Sequence, residues 1–364
     1  KTSEYLPTEE SKNSILIKLF MKVLYAIQGT GNGHLSRAME IVPLLKQKVN
    51  LEVLVSGTQS SLPFKFNIDH RLNGLSFITG KKGGLDLLGT WNNTDTRKLH
   101  KEISGFPIQR YDLVITDFEP ISAWAAKFYN VPCVELSHQA AVLNKRSPRP
   151  ANADLIGRMI LSKYCPAEHR YGFHFDTYDS TIFTPVIRKS VREAESTNKG
   201  HYTVYLPAYG DEFLEKMLQR FDGIRWEVFS KQVSEPTIKN NITFHPISSE
   251  GFLASMASAE GVLCGAGFET PAEALYLRKK LLVIPMKFQF EQQCNAEALR
   301  RMGVRVMQSL SESELSTLGE WLNSPEYAYV EYPDHTEMIL DEILDCHLYN
   351  TKSNVSDLRL AEVM

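Results

Sequence analysis

Gly265-Ala266-Gly267-Phe268-Glu269-Thr270-Pro271-Ala272-Glu273, followed by the apolar run Leu281-Leu282-Val283-Ile284-Pro285, is the stretch that decides the fold. Gly261-Val262-Leu263-Cys264 reads as a strand and Thr270 to Leu277 as a helix, so the loop between them faces the first backbone N–H groups of that helix. Those amides have no partner within the helix, and together with the helix dipole they suit an anion such as a diphosphate. Gly265 and Gly267 let a bulky phosphate approach the backbone closely. The same residues carry a second reading. Thr270-Pro271-Ala272-Glu273 is also a capping box, with Thr as N-cap, Pro at the first helical position and Glu three residues past the cap, and a capping box needs no ligand. The glycine-rich approach and the polar cluster Gln289-Phe290-Glu291-Gln292-Gln293 downstream favour the ligand.

The same strand, glycine loop, helix order opens the chain. Met21 to Ile27 is a short apolar run of the kind a buried parallel strand shows. Gln28-Gly29-Thr30-Gly31-Asn32-Gly33-His34 follows, then Leu35, Ala38, Met39, Val42 and Leu45 at helical spacing. Strands are expected at Leu51 to Ser56, Leu75 to Thr79, Tyr111 to Asp117 and Pro132 to Leu136, with a helix through Ile121 to Tyr129. Lys81 to Gln109 reads as a loop with one helix, and Asn144 to Pro150 as an exposed loop. Aromatic and polar residues alternate irregularly between Cys165 and Lys199, which places a domain junction there.

Beyond it the alternation resumes: strands at His201 to Leu206, Arg225 to Ser230 and Ile242 to Phe244, the last ending at His245-Pro246, with helices at Glu212 to Phe221, Gly251 to Ala259 and Gln292 to Met302. Alternating strands and helices in both halves imply an α/β protein of two doubly wound parallel sheets. Open α/β sheets bind ligands outside the carboxyl ends of their strands, so two such domains make a cleft with a glycine loop on each wall. The expected layout is an extension over 1–20, an acceptor-side domain over 21–185 and a donor domain over 186–336. A helix over 337–350 then packs back on the first domain, and 351–364 forms a loose tail.

At 364 residues the chain is long enough for two or three domains, and 43% apolar with 23% charged residues is ordinary for a globular protein. A net charge of -3 without a long basic block gives no reason to expect nucleic acid. The five cysteines are scattered and odd in number, which speaks against a disulfide framework and for a reducing cytoplasm. Ile15 to Phe20 is too short for a signal-peptide core, and no apolar run approaches the ~20 residues needed to cross a bilayer. The expectation is a cytoplasmic protein, soluble or peripheral at the inner face of the membrane.

With these residues in view, the chain resembles the two-domain GT-B glycosyltransferases, in particular the MurG-like and UDP-glycosyltransferase-like groups. Gly265 to Glu273 followed by Glu291-Gln292 is similar to the family's donor signature. The resemblance implies that Glu273 holds the ribose hydroxyls, that Thr270 contacts the donor diphosphate, and that Gly265, Ala266, Gly267, Phe268 and Glu269 form the turn around it. It further implies that Glu291 and Gln292 bind hydroxyls of the donor sugar and that His245 and Pro246 meet the nucleobase. A histidine that plant members carry at the place of Gly265 is absent, which leaves phosphate binding to backbone amides. Gly31-Asn32-Gly33-His34 resembles the family's glycine loop ending in histidine, and Thr116-Asp117-Phe118 the segment whose aspartate pairs with it. A nicotinamide fingerprint would require glycine where His34 stands.

The chemistry so implied is inverting, metal-independent transfer of a hexose from a UDP-sugar to an acceptor hydroxyl, with no cofactor. His34, at a positive helix end that favours neutral imidazole, takes the acceptor's proton, and Asp117 orients it. Each also has a plainer reading, His34 as a residue packing at a helix start and Asp117 as a turn or N-cap residue before Glu119-Pro120. His138 reads as a lining residue of the acceptor cleft or a satisfied loop histidine; His169 and His174 with Asp176 suggest a metal, but they fall in an irregular aromatic segment and no fourth ligand is evident. Lys81, Lys82, Lys145, Arg146 and Arg149 read either as a basic rim touching a membrane or as solvated loop charges. The acceptor, whether glycan, lipid-linked or small molecule, is not legible. Two other functions share the architecture: a UDP-sugar 2-epimerase and a non-catalytic nucleotide-sugar-binding protein.

Overall fold

The computed structural model describes residues 20–57, 66–74, 78–79, 85–86, 96–151, 154–325 and 327–349. The expected segments 1–19 and 351–364, and residues 75–77 of the expected strand at Leu75 to Thr79, lie outside them. The chain opens with β1 (Lys22–Gln28), buried along nearly its whole length because it has a strand on either side and helices on its faces. In order follow α1 (Asn32–Lys46), β2 (Asn50–Ser56), β3 (His70–Leu72), a two-stranded pair β4 (Ile78–Thr79) and β5 (Leu85–Asp86), and α2 (Thr96–Gly105). Then come β6 (Leu113–Asp117), α3 (Pro120–Tyr129), β7 (Cys133–Ser137), α4 (His138–Leu143), α5 (Leu155–Tyr164), β8 (His169–Phe173) and β9 (Ile182–Phe183). Among the described residues these strands form a seven-stranded sheet in the order β3-β2-β1-β6-β7-β8-β9, parallel throughout.

A short α6 (Lys189–Arg192) lies in the connection to the second half. That half comprises β10 (His201–Tyr205), α7 (Asp211–Leu218), β11 (Arg225–Ser230), β12 (Thr237–Lys239), β13 (Ile242–Pro246), α8 (Ser249–Ser258) and β14 (Gly261–Gly265). It continues with α9 (Glu269–Tyr276), β15 (Lys280–Ile284), α10 (Phe290–Arg301), β16 (Arg305–Val306) and α11 (Leu315–Asn323). Its sheet runs β12-β13-β11-β10-β14-β15-β16, parallel apart from the edge strand β12. The last helix, α12 (Thr336–Leu344), returns to α1: Lys48 Nζ reaches Glu337 Oε1 at 3.0 Å and Asp341 Oδ1 at 2.8 Å, over buried Ile339, Leu340 and Ile343.

The architecture is the two-sheet GT-B arrangement, and the structure revises three local expectations. The segment read as irregular between Cys165 and Lys199 contributes two parallel strands, β8 and the edge strand β9, neither with a clear alternating pattern. The loop Asn144 to Pro150 is not exposed as a whole, since Ser147 is buried with its Oγ on Ala141 O. Arg149 turns inward, its Nη2 donating to Leu143 O at 2.8 Å and to Asn144 O. The basic rim therefore loses Arg149, and Lys81 and Lys82 lie outside the described residues.

Candidate active site

His34 is the third residue of α1 and Asp117 the last of β6, and because β1 and β6 pair in register at Ile27 and Asp117 the two meet at the carboxyl edge of the sheet. His34 Nδ1 lies 2.8 Å from Asp117 Oδ1. A carboxylate only accepts, so Nδ1 carries a hydrogen, and in the neutral ring the lone pair is on Nε2. The turn after β6 passes through Phe118 in a left-handed conformation (φ 57°), and Glu119, not Asp117, caps α3 through Ile121 N (2.8 Å) and Ser122 N (2.7 Å). Asp117 is thereby spared the helix cap.

A third member of this cluster comes from the structure alone. Arg37, one turn beyond His34 on α1 and 3% exposed, donates from Nε to Asp117 Oδ2 at 2.9 Å and from Nη2 to Oδ1 at 2.8 Å. Its Nη1 crosses the cleft to Glu269 Oε1 at 2.8 Å, and Nη2 lies 3.3 Å from His34 Nδ1. Burial pushes the Asp117 carboxyl up, but the Arg37 and His34 charges and hydrogen bonds outweigh it and hold the group down at about 2. The sequence signal was a charge in the buried stripe formed by Leu35, Ala38, Ile41 and Leu45.

On the facing wall the glycine-rich stretch leads from β14 into α9, but the helix starts at Glu269, with Phe268 as N-cap and no side-chain cap bond. The capping box expected at Thr270 to Glu273 does not form. Tertiary ion pairs claim the acids of this stretch: Glu269, before the box, goes to Arg37, and Glu273, the acid of the box, accepts from Arg188 Nε (2.5 Å) and Nη2 (2.7 Å). Pro271 is tolerated at the third helical position because its nitrogen would lack a helical partner there in any case. Phe268 anchors the turn, stacked on His138 at 3.9 Å between ring centres and packed on Phe175.

Further bonds tie the two walls together. His138 Nε2 faces Asn295 Oδ1 at 2.9 Å while Asn295 Nδ2 donates to Ala266 O at 3.1 Å, and Gln139 Nε2 donates to Glu291 Oε2 at 2.9 Å. Gln292 Oε1 accepts from Met286 N at 2.9 Å. His138 is thus a buried bridging residue whose two ring nitrogens both face oxygen atoms, Nδ1 at Phe173 O (2.8 Å) and Nε2 at Asn295 Oδ1, while burial lowers its imidazole to about 4. Burial raises the Glu291 carboxyl, and next to Asp117's strand it pushes buried Glu135 up to about 7 despite Arg170 and Ser137.

Three adjoining cavities follow the cleft. One of about 410 Å³ is lined by His34, Gly33, Gln139, Glu269 and Glu291. Another of about 490 Å³ is lined by Gly265, Gly267, Thr270 and Gln292, and a third of about 360 Å³ by Asn32, Arg188, Ser248, Thr270 and Glu273. Gly31 φ is 96°, a backbone conformation that suits glycine and aims the loop at the shared space. His245 and Pro246 end β13 and line none of these three cavities, whereas the next residues, Ile247 and Ser248, line the third. Among the described residues no three His, Cys, Asp or Glu side chains come together to hold a metal ion, His174 and Asp176 included. Nor is any described helix long and apolar enough to cross a membrane.

The sequence pattern of glycosyl transferase family 1 matches residues 21–324, both sheets and the cleft between them. The chain belongs to glycosyl transferase family 1. It is a glycosyltransferase by that membership, and its fold is shared with solved structures of low identity. The glycotransferase of kitacinnamycin is 14% identical, with a TM-score of 0.56 over 90% of this chain and 96% of that one. MurG of Acinetobacter baumannii is 16% identical, with a TM-score of 0.53 over 84% and 91%. A UDP-N-acetylglucosamine 2-epimerase is 14% identical, with a TM-score of 0.54 over 91% and 97%. Compared by sequence with curated proteins, the chain has no match. The glycosyltransferase cleft has missed contributors besides Arg37: Arg188, Gln139 and Asn295, each recruited by a partner far away in sequence.

Proposed function

We propose that the protein is an inverting, metal-independent glycosyltransferase that moves a hexose from a UDP-sugar to an acceptor hydroxyl. The observation that carries the reading is the His34–Asp117 pair, 2.8 Å apart, opening on a cavity that also touches the donor loop at Glu269 and Gln292. His34 Nε2 takes the proton from the acceptor hydroxyl as its oxygen bonds to the anomeric carbon. The bond from that carbon to the diphosphate oxygen breaks, and the leaving group departs with the electron pair. Backbone amides of the α9 terminus and the side chain of Thr270 receive the developing charge in place of a cation. Asp117 fixes the tautomer and stabilises the imidazolium.

Uridine as the base rests on the fold shared with UDP-sugar enzymes. A 2-epimerase with the same fold would need carboxylates free to work on the sugar; here Glu269 and Glu273 are each held by an arginine. Incubation with UDP-glucose and UDP-N-acetylglucosamine, with and without candidate acceptors, tests the proposal. Expected are UDP release and a β-linked product from an α-linked donor, with both abolished in His34→Ala while UDP still binds. An altered donor sugar without acceptor, or transfer undiminished in His34→Ala, overturns it.

A further inference from the structure

Arg37 serves two carboxylates from different walls of the cleft, and that geometry has a consequence for His34 that the base–acid pair alone does not have. In an ordinary pair the aspartate's full negative charge faces the imidazole and stabilises the cation formed on proton uptake. Here both Asp117 oxygens are taken by the Arg37 guanidinium, at 2.9 and 2.8 Å, which cancels that charge at close range. Glu269 restores it. With one cation between two carboxylates the cluster has one net negative charge while His34 is neutral and none once His34 is protonated. Without Glu269 it would be neutral before proton uptake and positive after.

Glu269 is built to reach this position. A Cβ on Gly33 would lie 2.3 to 2.8 Å from the Glu269 carboxylate, so the glycine of the first loop leaves the channel through which a side chain of the other domain passes. The contact joins positions 232 residues apart, and Glu269 is the first residue of α9, the helix whose terminus faces the donor cavity.

We propose that Arg37 and Glu269 are positioning residues that set the basicity of His34 and make it depend on the closure of the donor domain against the acceptor domain. In the closed cleft Glu269 sits on Arg37 and His34 is a competent base. When α9 moves away, Arg37 stands over Asp117 uncompensated and opposes the proton's arrival. The other charged or titratable groups facing His34 are Glu135 from β7, Glu291 from α10, Lys231 beyond β11 and His138 at the start of α4. None of them touches Arg37 by hydrogen bond; Glu291 and His138 feel its charge through space, and Tyr25 from β1 faces both Asp117 and Arg37, but these groups are the same in wild type and in every variant below. The inference rests on His34 being the base but is read by a measurement that needs no turnover.

That measurement is the NMR titration of the His34 ring in the full chain, its signal assigned by its loss in His34→Gln. Removing the Glu269 charge in Glu269→Gln moves the ring's titration midpoint down by about one pH unit relative to wild type. Arg37→Met moves it up by about as much, and Arg37→Met/Glu269→Gln returns it to within about 0.5 unit. Opposite signs with mutual cancellation are what a charge couple produces and a purely structural contact does not. Should Arg37→Met fail to fold, Glu269→Gln and the double variant still decide. A midpoint within about 0.2 unit of wild type in Glu269→Gln, or shifts of the same sign in both single variants, overturns the couple. Loss of the base reading itself shows elsewhere, as UDP-sugar turnover insensitive to His34→Ala.

Discussion

Replacing Asp117 by Asn removes the charge on which the whole cluster is built while keeping the shape. Asp117 is fully buried and Arg37 nearly so, and the amide nitrogen of Asn faces a guanidinium N–H, donor against donor. Taking one partner from a buried ion pair costs about 3 to 5 kcal/mol, because the remaining charge is left unpaired in a poor solvent. Glu269 still holds Arg37 Nη1, at 27% side-chain exposure, so the low end applies, roughly 3 kcal/mol. For a domain of this size each kcal/mol moves the melting temperature by about 2 to 4 °C, giving a fall of roughly 6 to 12 °C. Scanning calorimetry at pH 7 reads it. The control is Asp341→Asn, whose partner Lys48 makes a half-exposed pair at 2.8 Å; its effect stays within about 1 kcal/mol. Turnover of the best UDP-sugar falls by about two to four orders of magnitude because the His34 tautomer is no longer fixed. An Asp117→Asn protein that melts within about 2 °C of wild type refutes the buried cluster.

Gly33→Ala is expected to fold with little loss, since the nearest atoms are the movable end of Glu269, but to displace that carboxylate from Arg37 and shift the His34 titration in the same direction as Glu269→Gln. Gly172→Ala is expected to be severe, because its Cβ would meet the backbone nitrogen of Ala141 at 2.4 Å and drive α4, with His138, off β8; failure to express as a folded protein, or a melting temperature lowered by about 10 °C or more, checks it. Glu135 is pushed by burial to about 7, above its unfolded value, so the folded state holds the proton more tightly; its contribution is fully present below about pH 4.5 and is lost as pH rises through 7, by roughly 3 kcal/mol. Melting curves between pH 5 and 8 should fall less steeply in Glu135→Gln. His138 is lowered by burial to about 4, the opposite case for a base: stability is lost as pH drops from about 6.5 towards 4, and His138→Gln flattens that limb.

Much of the fold was legible because each βα unit announces itself locally. The apolar run of β1, the glycines before His34 and the helical stripe behind it lie within one window, and the same is true of β14 and α9. Position at a strand's carboxyl end sufficed to bring His34 and Asp117 to one edge. What stayed hidden was long-range choice of partner. Arg37 reads as one more basic residue on a helix until Asp117, 80 residues on, and Glu269, 232 residues on, are folded against it. The capping box failed for the same reason: its local bonds are weak, and Arg188 offered Glu273 a charged partner instead. The strands β8 and β9 escaped because β8, His169-Arg170-Tyr171-Gly172-Phe173, has no apolar run and β9 has only two residues.

The central claim is that the cleft takes a uridine diphosphate sugar on its donor wall. Calorimetric titration of the full chain with UDP, ADP and GDP, without added metal and beside Glu273→Ala, tests it most directly. The account predicts that UDP binds in preference to the other two and that Glu273→Ala, which also frees Arg188, weakens it by a factor of ten or so, about 1.4 kcal/mol. Equal binding of all three nucleotides, or no binding while Glu273→Ala merely melts earlier, would contradict it and leave Glu273 as a structural partner of Arg188 alone.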